Sequence, residues 1–436
     1  MHCASLGEFE QGRPLLEALR PAFPDCGLVL TFFSPSGYQV RKDYPGADAV
    51  FYLPLDTRQA AEAFVDALQP IAAIFIKYDL WLNHIAVLAS KGIPIYLVAA
   101  RFRQDQVFFK PWGSWHRKGL HQLTRIFCQD HESAALLREL FAKDQQPLPQ
   151  PAITQAPDTR FDRVLAIAAS PRVPETLKAF GAGKPILVAG STWPADEVLL
   201  TELAQRKLLP AGWKLLVAPH EMREAALREL AARLPGRVLR WSEVEAAQPG
   251  QTGHAAADKA DSAADLVADS AADRADSAVD FPSSPAQTSP TLDANSLLAQ
   301  ADCLIVDKIG LLSSLYALGS AAYIGGGFGA GIHNTLEAAV YGLPLAFGPR
   351  YHKFREAEEL LSLGAAVSVR NAAQLEQWFQ GLLGSGENSA GSPGNTVFLN
   401  PAGQASGKAA AAYVEAGRGG TAMVLKALQV DLEGRG

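Results

Sequence analysis

Cysteine is scarce: 4 in 436 residues, at Cys3, Cys26, Cys128 and Cys303. None forms a CxxC, which argues against a structural zinc site and against a secreted disulfide framework, and fits a reducing compartment. The 9 histidines include no HExxH, and His220-Glu221 lacks a second His one helical turn on. Metal hydrolysis therefore has no support in the sequence, and neither a metal nor a cofactor is expected. A basic excess is also missing. There are 39 Lys+Arg against 45 Asp+Glu, and the whole deficit sits in residues 250–299, which hold eight Asp against Lys259 and Arg274. The rest of the chain is balanced, so non-specific nucleic-acid binding is not expected. The opening HCASLGE lacks the basic and apolar regions of a signal peptide, and the longest charge-free run, 309–336, is interrupted by seven glycines plus His333 and Asn334. It reads as buried sheet and loop.

What is present is an alternation of short apolar runs with amphipathic stretches. LVLTFFS (28–34), AAIFIK (72–77), PIYLVAA (94–100) and RIFCQD (125–130) predict buried parallel strands with helices between them. A second series follows: PILVAGS (185–191), KLLVAPH (214–220), DCLIVDK (302–308), AAYIGGG (321–327) and PLAFGP (344–349). The pattern predicts two α/β domains, 1–165 and 185–383, joined by a linker over 166–184 where Pro171, Pro174 and Gly181-Ala182-Gly183 interrupt it. Residues 250–299, with ADSA repeated three times, hold too few large apolar groups to repay ordering and read as a disordered insertion. Residues 384–409 read as a flexible loop. A closing helical segment occupies 410–436, broken near Gly417 to Gly420.

AAYIGGGFGAGIHNTLEAAVYG is the strongest local signal: a strand entering glycines, then a helix expected to start near Asn334. Glycines let a backbone approach a phosphate, and free amides at a helix start attract an anion, so a phosphorylated ligand fits. Ala330 stands where a third glycine would complete GxGxxG, so the dinucleotide fingerprint is not met, and a tight structural turn explains the loop equally well. Glu337 suits either an ordinary helix start or ribose hydroxyls. In ASLGEFEQGRP, Glu8 reads as helix-start chemistry or as a general base at the carboxyl edge of a sheet. Arg160 in DTRFDR is either solvated or a fork for carboxylate or phosphate, and Lys77 at the end of FIK either snorkels or faces a cleft. The stretch 101–119 interleaves Arg101, Arg103, Lys110, Arg117 and Lys118 with Phe102, Phe108, Phe109, Trp112 and Trp115. It suits an anionic lipid surface, a packed domain face or single-stranded nucleic acid. His131, His220 and His333 each read as structural hydrogen-bonders when taken singly.

In order along the chain, ASLGEFEQGRP, LTFFSPSGY, LPLDT, IKYDLW, ARFR, TRFDRV, AGSTW, APHE, DKIGLLSSLY, GGGFGAGIHNTLE and FGPRYHKF resemble the 3-deoxy-D-manno-octulosonic acid (Kdo) transferases of lipopolysaccharide synthesis, from residue 2 to about 370 apart from the Ala/Asp segment. The resemblance implies a GT-B glycosyltransferase with two Rossmann-like domains facing a central cleft. The amino-terminal domain would take a lipid A precursor, lipid IVA, and the carboxyl-terminal one CMP-Kdo as donor substrate. It implies Glu8 as proton acceptor, and Arg160 and Lys77 as transition-state stabilisers, although many relatives carry an acid at the Lys77 position. CMP contacts would fall on Pro219, His220, Ile309, Gly310, Leu311, Asn334, Thr335, Leu336 and Glu337, with Ser191 and Thr192 lining the cleft. The place implied is the cytoplasmic face of the bacterial inner membrane. Relatives have an anchor and a complete first strand ahead of SxGE. This chain begins just before that motif, so the expectation is a truncated first strand, with attachment peripheral or through a missing amino-terminal segment. The alternatives are a non-catalytic nucleotide-sugar or lipid binder, and a GT-B enzyme using a UDP-sugar.

Overall fold

The computed structural model describes residues 1–77, 79–143, 150–210, 212–246, 293–383 and 399–433. They divide into two compact units: one takes in Met1–Ala169 and regains the chain from Tyr413, and the other runs from Ser170 to Ala412. Each is built on a seven-stranded sheet.

In the first unit the strands are β1 (His2–Cys3), β2 (Val29–Phe32), β3 (Ala49–Tyr52), β4 (Ala73–Ile76), β5 (Ile95–Ala100), β6 (Arg125–Cys128) and β7 (Ala152–Gln155). They are parallel throughout, in the order β3-β2-β1-β4-β5-β6-β7. His2 is in register with Thr31 on one side and Phe75 on the other, so β1 is central and the winding reverses direction between β1 and β4. Strand β5, IYLVAA, is buried at all 6 positions, as covering both faces of a parallel sheet requires.

In the second unit the strands are β8 (Ile186–Thr192), β9 (Lys214–Pro219), β10 (Val238–Arg240), β11 (Cys303–Ile305), β12 (Ala321–Ile324), β13 (Leu345–Phe347) and β14 (Ala366–Ser368). They too are parallel, in the order β10-β11-β9-β8-β12-β13-β14, with the reversal between β8 and β12. In open α/β sheets ligands bind outside the carboxyl ends of the strands at such a reversal, so each unit has one place where a site is expected.

The final helix, Gly420–Glu433, belongs to the first unit. Its Val424 and Leu428 are buried among Leu15, Leu16, Leu30 and Ile76, a burial contributing roughly 1.5–3 kcal/mol per side chain. Asp162 accepts the N–H groups of Gly419 (2.6 Å) and Thr421 (2.7 Å) at its start, and Arg125 grips Asp431 with two bonds of 3.1 and 2.9 Å near its end.

Three spans differ from the sequence expectation. Of the expected insertion, 250–292 lies outside the described residues. Its end is helix Ala294–Gln300, capped by Asp293, because Leu298 has a core site to fill. Of the expected loop, 384–398 lies outside the described residues, and helix Pro401–Ala416 takes over 401–409. The presumed linker contains helix Glu175–Gly181, whose Leu177 and Phe180 are fully buried; Phe180 lies beneath the ammonium of Lys214 at 4.8 Å.

Candidate functional site

In the first unit the chain leaves β1 and turns directly into helix Leu6–Ala22. Ser5 caps it, its hydroxyl accepting the Glu8 N–H at 3.4 Å, while Glu8 Oε2 accepts the Ala4 N–H at 2.6 Å. Glu8 thus performs the helix-start chemistry that the sequence allowed, and it does so while only 8% exposed. Burial raises the Glu8 carboxyl above the ordinary glutamate range; the Ala4 N–H and the Lys77 charge pull it back in part, and Asp79 adds to the rise. Lys77 follows β4 with left-handed backbone, φ 65°, its N–H held by the Val98 carbonyl at 2.8 Å. Glu8 and Lys77 therefore stand on the two strand ends that flank the reversal. The neighbouring acid, Glu10, is consumed otherwise: Arg41 at 3.0 Å and Arg163 at 3.2 Å pair with it.

Arg160 follows β7, at the far edge of that sheet, yet it is tied to the Glu8 helix. Asp158, 6% exposed, accepts from Gln11 Nε2 (2.9 Å), Gln129 Nε2 (2.8 Å), Arg160 N (2.9 Å) and Arg160 Nε (3.0 Å). Gln11 is three residues on from Glu8, on the same side of its helix, and the Thr159 hydroxyl donates to the Gln11 carbonyl. Burial alone would raise the Asp158 carboxyl, but the Arg160 guanidinium and these donors hold it below the ordinary range. This network escaped the sequence reading. Nothing in DTRFDR signals that its Asp meets a glutamine 147 positions away.

The basic-aromatic stretch divides by burial. Phe102 and Phe108 are core, and Arg117 is committed to the carbonyls of Phe108 (3.1 Å) and Lys110 (2.9 Å). Trp112 and Trp115 are 73% and 58% exposed, with Lys118 also at the surface.

In the second unit the predicted nucleotide residues lie on the loops that leave four adjacent strands: 309–311 after β11, 219–220 at the end of β9, 191–192 at the end of β8, and 334–337 after β12. His220 N–H bonds the Thr192 carbonyl at 2.8 Å, which locks two of these loops together. Ser191 is left-handed, φ 52°, and Thr192 is buried with its hydroxyl on Glu197 at 3.4 Å, so this pair serves the loop's own structure. Ile309, Gly310 and Leu311 enter a single turn, Leu312–Leu315. Asn334 Nδ2 holds Glu337 at 3.1 Å and its Oδ1 accepts the Leu336 N–H at 3.1 Å. Thr335 and Leu336 are fully buried. What these residues leave accessible is the main chain and the Asn334 and Glu337 side chains, both half-buried.

One expectation about the glycine loop is corrected, and one of the two readings of its glycines gains support. The helix expected from Asn334 is one turn, Leu336–Ala339, too short for an appreciable dipole. The glycines, moreover, are used in packing. A Cβ on Gly325 would stand 2.2 Å from the Ser191 carbonyl oxygen, and one on Gly327 2.5 Å from Gly348 Cα. Gly326, at φ +90°, would meet the Gly331 carbonyl oxygen at 2.4 Å. The tight-turn reading accounts for all three.

Sequence reasoning also missed Asp196. Fully buried, it accepts from Tyr323 Oη (2.7 Å), Gly326 N (2.8 Å) and Trp193 N (2.9 Å), stapling the β8 turn to the glycine loop. The sequence signal for it was Pro194 at the first helical position followed by an acid in the first turn. Among the described residues no three or more His, Cys, Asp or Glu side chains gather as a metal site would need, and no helix is long and apolar enough to cross a membrane. A surface hollow of about 430 Å³ beside β13 and β14, lined by Tyr351, Arg370 and Trp378 among others, holds none of the predicted site residues.

Residues 1–163 match a family model described as 3-deoxy-D-manno-octulosonic-acid transferase (kdotransferase). The chain is 25% identical to the 3-deoxy-D-manno-octulosonic acid transferase of Bordetella pertussis, over 98% of this chain and 86% of that one. It is 23% identical to the enzyme of the same name from Aquifex aeolicus (strain VF5), over 86% and 83%. A UDP-N-acetylglucosamine 2-epimerase of known structure superposes with a TM-score of 0.51 at 10% identity, covering 94% of this chain and 92% of that chain. That likeness concerns the fold: two Rossmann-like α/β units, the GT-B class.

Proposed function

Starting from the fact that this chain belongs to the Kdo transferase family, we propose that it moves Kdo from CMP-Kdo to a lipid A precursor, lipid IVA, with inversion at the anomeric carbon and Glu8 as general base. The observation that carries the reading is Glu8 itself: a carboxylate 8% exposed, beside the sheet reversal, raised in pKa by burial and attended by the Lys77 charge. Among the described residues only one of its oxygens is engaged, by the Ala4 N–H. The other is available to take a proton.

The acceptor hydroxyl gives its proton to Glu8 as its oxygen bonds to the anomeric carbon of Kdo, and the bond from that carbon to the phosphate oxygen of CMP breaks. Positive charge grows on the sugar and negative charge on the departing phosphate. Arg160, pre-oriented by Asp158, and Lys77 offset the negative charge that develops. The donor's nucleotide is held by main-chain groups of Ile309, Gly310 and Leu311, by Pro219 and His220, and by Asn334 to Glu337, with the Glu337 carboxylate for ribose hydroxyls. Trp112 and Trp115, exposed beside Lys118, suit the headgroup region of an anionic bilayer and support work at the cytoplasmic face of the inner membrane, where the acceptor resides.

Purified protein incubated with CMP-Kdo and lipid IVA should raise the acceptor's mass by one Kdo unit or more. Glu8→Gln should lower turnover by about 10²- to 10⁴-fold, the usual contribution of a positioned base, with CMP affinity unchanged. Equal turnover in the variant refutes the assignment of the base. Heat protection by UDP and not by CMP refutes the donor.

A further inference from the structure

A cluster of three rings stands where the β8 turn, the end of β9 and the glycine loop meet. Trp193 stacks on His220, centroids 4.5 Å apart with planes 22° from parallel, and lies 6.5 Å and 13° from His333. His220 and His333 are 4.6 Å apart. Trp193 Nε1–H donates to His333 Nε2 at 2.9 Å.

An indole nitrogen only donates, so the nitrogen that faces it must offer a lone pair. For His333 this means that Nε2 is bare and the ring's single hydrogen sits on Nδ1. We propose that Trp193 is a positioning residue of the donor site: it locks His333 as the Nδ1–H tautomer, so that the imidazole next to Asn334 presents a hydrogen-bond donor to the nucleotide's phosphate. The use made of that donor rests on the CMP-sugar reading above, whereas the lock itself does not.

Several features hold the arrangement. Asp196 bonds the Trp193 and Gly326 main-chain N–H groups, so the indole and the loop beneath the imidazole share one anchor. His333 N–H bonds the Gly325 carbonyl at 3.1 Å. A Cβ on Gly326 would come within 3.1 Å of His333 Cδ2, so glycine at that position makes room for the ring. Among the described residues no protein group accepts from His333 Nδ1. His220, 7% exposed, likewise has a buried Nδ1 with no partner. Two adjacent imidazoles thus each carry an Nδ1 that no protein group engages among the described residues. Burial, followed by the neighbouring His220, pushes His333 down to about 4, which keeps it neutral at physiological pH.

The test uses the full chain labelled with ¹⁵N-histidine. Long-range ¹H–¹⁵N spectra distinguish the tautomers, and a His333→Asn variant assigns the resonance. Wild type at pH 7.5 should show His333 protonated at Nδ1. Trp193→Phe, which keeps a flat ring and deletes the N–H, should release the ring into a mixture of tautomers and weaken CMP binding about tenfold, the effect of losing one hydrogen bond to an anion. His333→Asn, whose amide can place a donor where Nδ1 stood, should bind CMP better than His333→Gln, which places it at the Nε2 position. Circular dichroism establishes that each variant folds. A wild-type Nε2–H signal, or an unchanged tautomer in a folded Trp193→Phe protein, overturns the lock. Equal CMP affinity of the Asn and Gln variants overturns the donor role. A wild type that does not bind CMP defeats the donor-substrate reading, and with it the donor role, while an Nδ1–H signal in that same protein still establishes the lock.

Discussion

Replacing Asp158 with Asn removes one charge and almost no volume, which makes it a sharp probe of how Arg160 is held. In the native unit Asp158 Oδ2 accepts from Gln11 (2.9 Å), Gln129 (2.8 Å) and Arg160 Nε (3.0 Å), and Oδ1 from Arg160 N (2.9 Å). An asparagine keeps the Oδ1 contact but turns an NH₂ toward these three donors and toward Arg160 Nη2, 2.9 Å from the same oxygen. The two glutamine amides can flip to offer oxygen; the guanidinium cannot. Losing a charge-assisted bond removes about 1.5–3 kcal/mol. The Arg160 side chain is 25% exposed and can regain part of that by hydration, while re-aiming the glutamines adds strain. A net loss of about 2–3 kcal/mol follows, which for a unit of this size lowers Tm by roughly 4–12 °C. Calorimetry reads the stability. Turnover reads the position of Arg160: kcat should fall about 10- to 100-fold with the KM for CMP-Kdo nearly constant, because the residues proposed to hold the nucleotide belong to the other unit. A variant that melts within 1 °C of the parent refutes the energetic reasoning, and one that melts low but turns over normally reduces Asp158 to a structural staple.

Two other outcomes follow from buried groups. His333 is pushed down to about 4 and His220 is also lowered, in both cases by burial first, so the unfolded chain takes up protons on these rings before the folded one does. Their contribution to stability is therefore intact above about pH 6.5 and is lost as pH falls toward 4, by up to about 1.4 kcal/mol per pH unit for each ring; urea midpoints measured from pH 8 to pH 4 should decline only below the upper value, and a flat profile contradicts the burial of the cluster. Among the cysteines, burial pushes the Cys128 and Cys303 thiols up to about 12 and that of Cys3 higher still, leaving Cys26 as the accessible one; iodoacetamide at pH 8 should modify Cys26 alone, and rapid labelling of any other indicates an open core.

The strands that could be read from the sequence are those buried on both faces, because only there does the sheet demand an uninterrupted apolar run. β5 and β8, buried along their whole length, were visible as IYLVAA and ILVAGST. β3, β7, β10 and β14 were not, and each is short, partly exposed and remote from the reversal: Ala152–Gln155 has exposed residues at both ends, and Val238–Arg240 has no buried residue. The sites divide on the same principle. Glu8 and Lys77 were legible because each ends a central strand or starts the helix that follows it, so one-dimensional spacing already places them at the sheet's carboxyl edge. Arg160 was legible as a residue but not as part of a network, since its orientation depends on Gln11 and Gln129 arriving from distant segments. The glycine loop was legible as a turn, and its glycines are used in packing. Gly325 and Gly327 lack side chains because other backbone passes within 3 Å of where a Cβ would stand. Sequence spacing says that a side chain is intolerable there; whether a ligand or the protein's own chain fills the space is a question of three-dimensional packing. In this loop it is the chain, and the polar edges that the packing holds still, the Asn334–Glu337 pair and the imidazoles braced by Trp193, are the groups proposed above to meet the nucleotide.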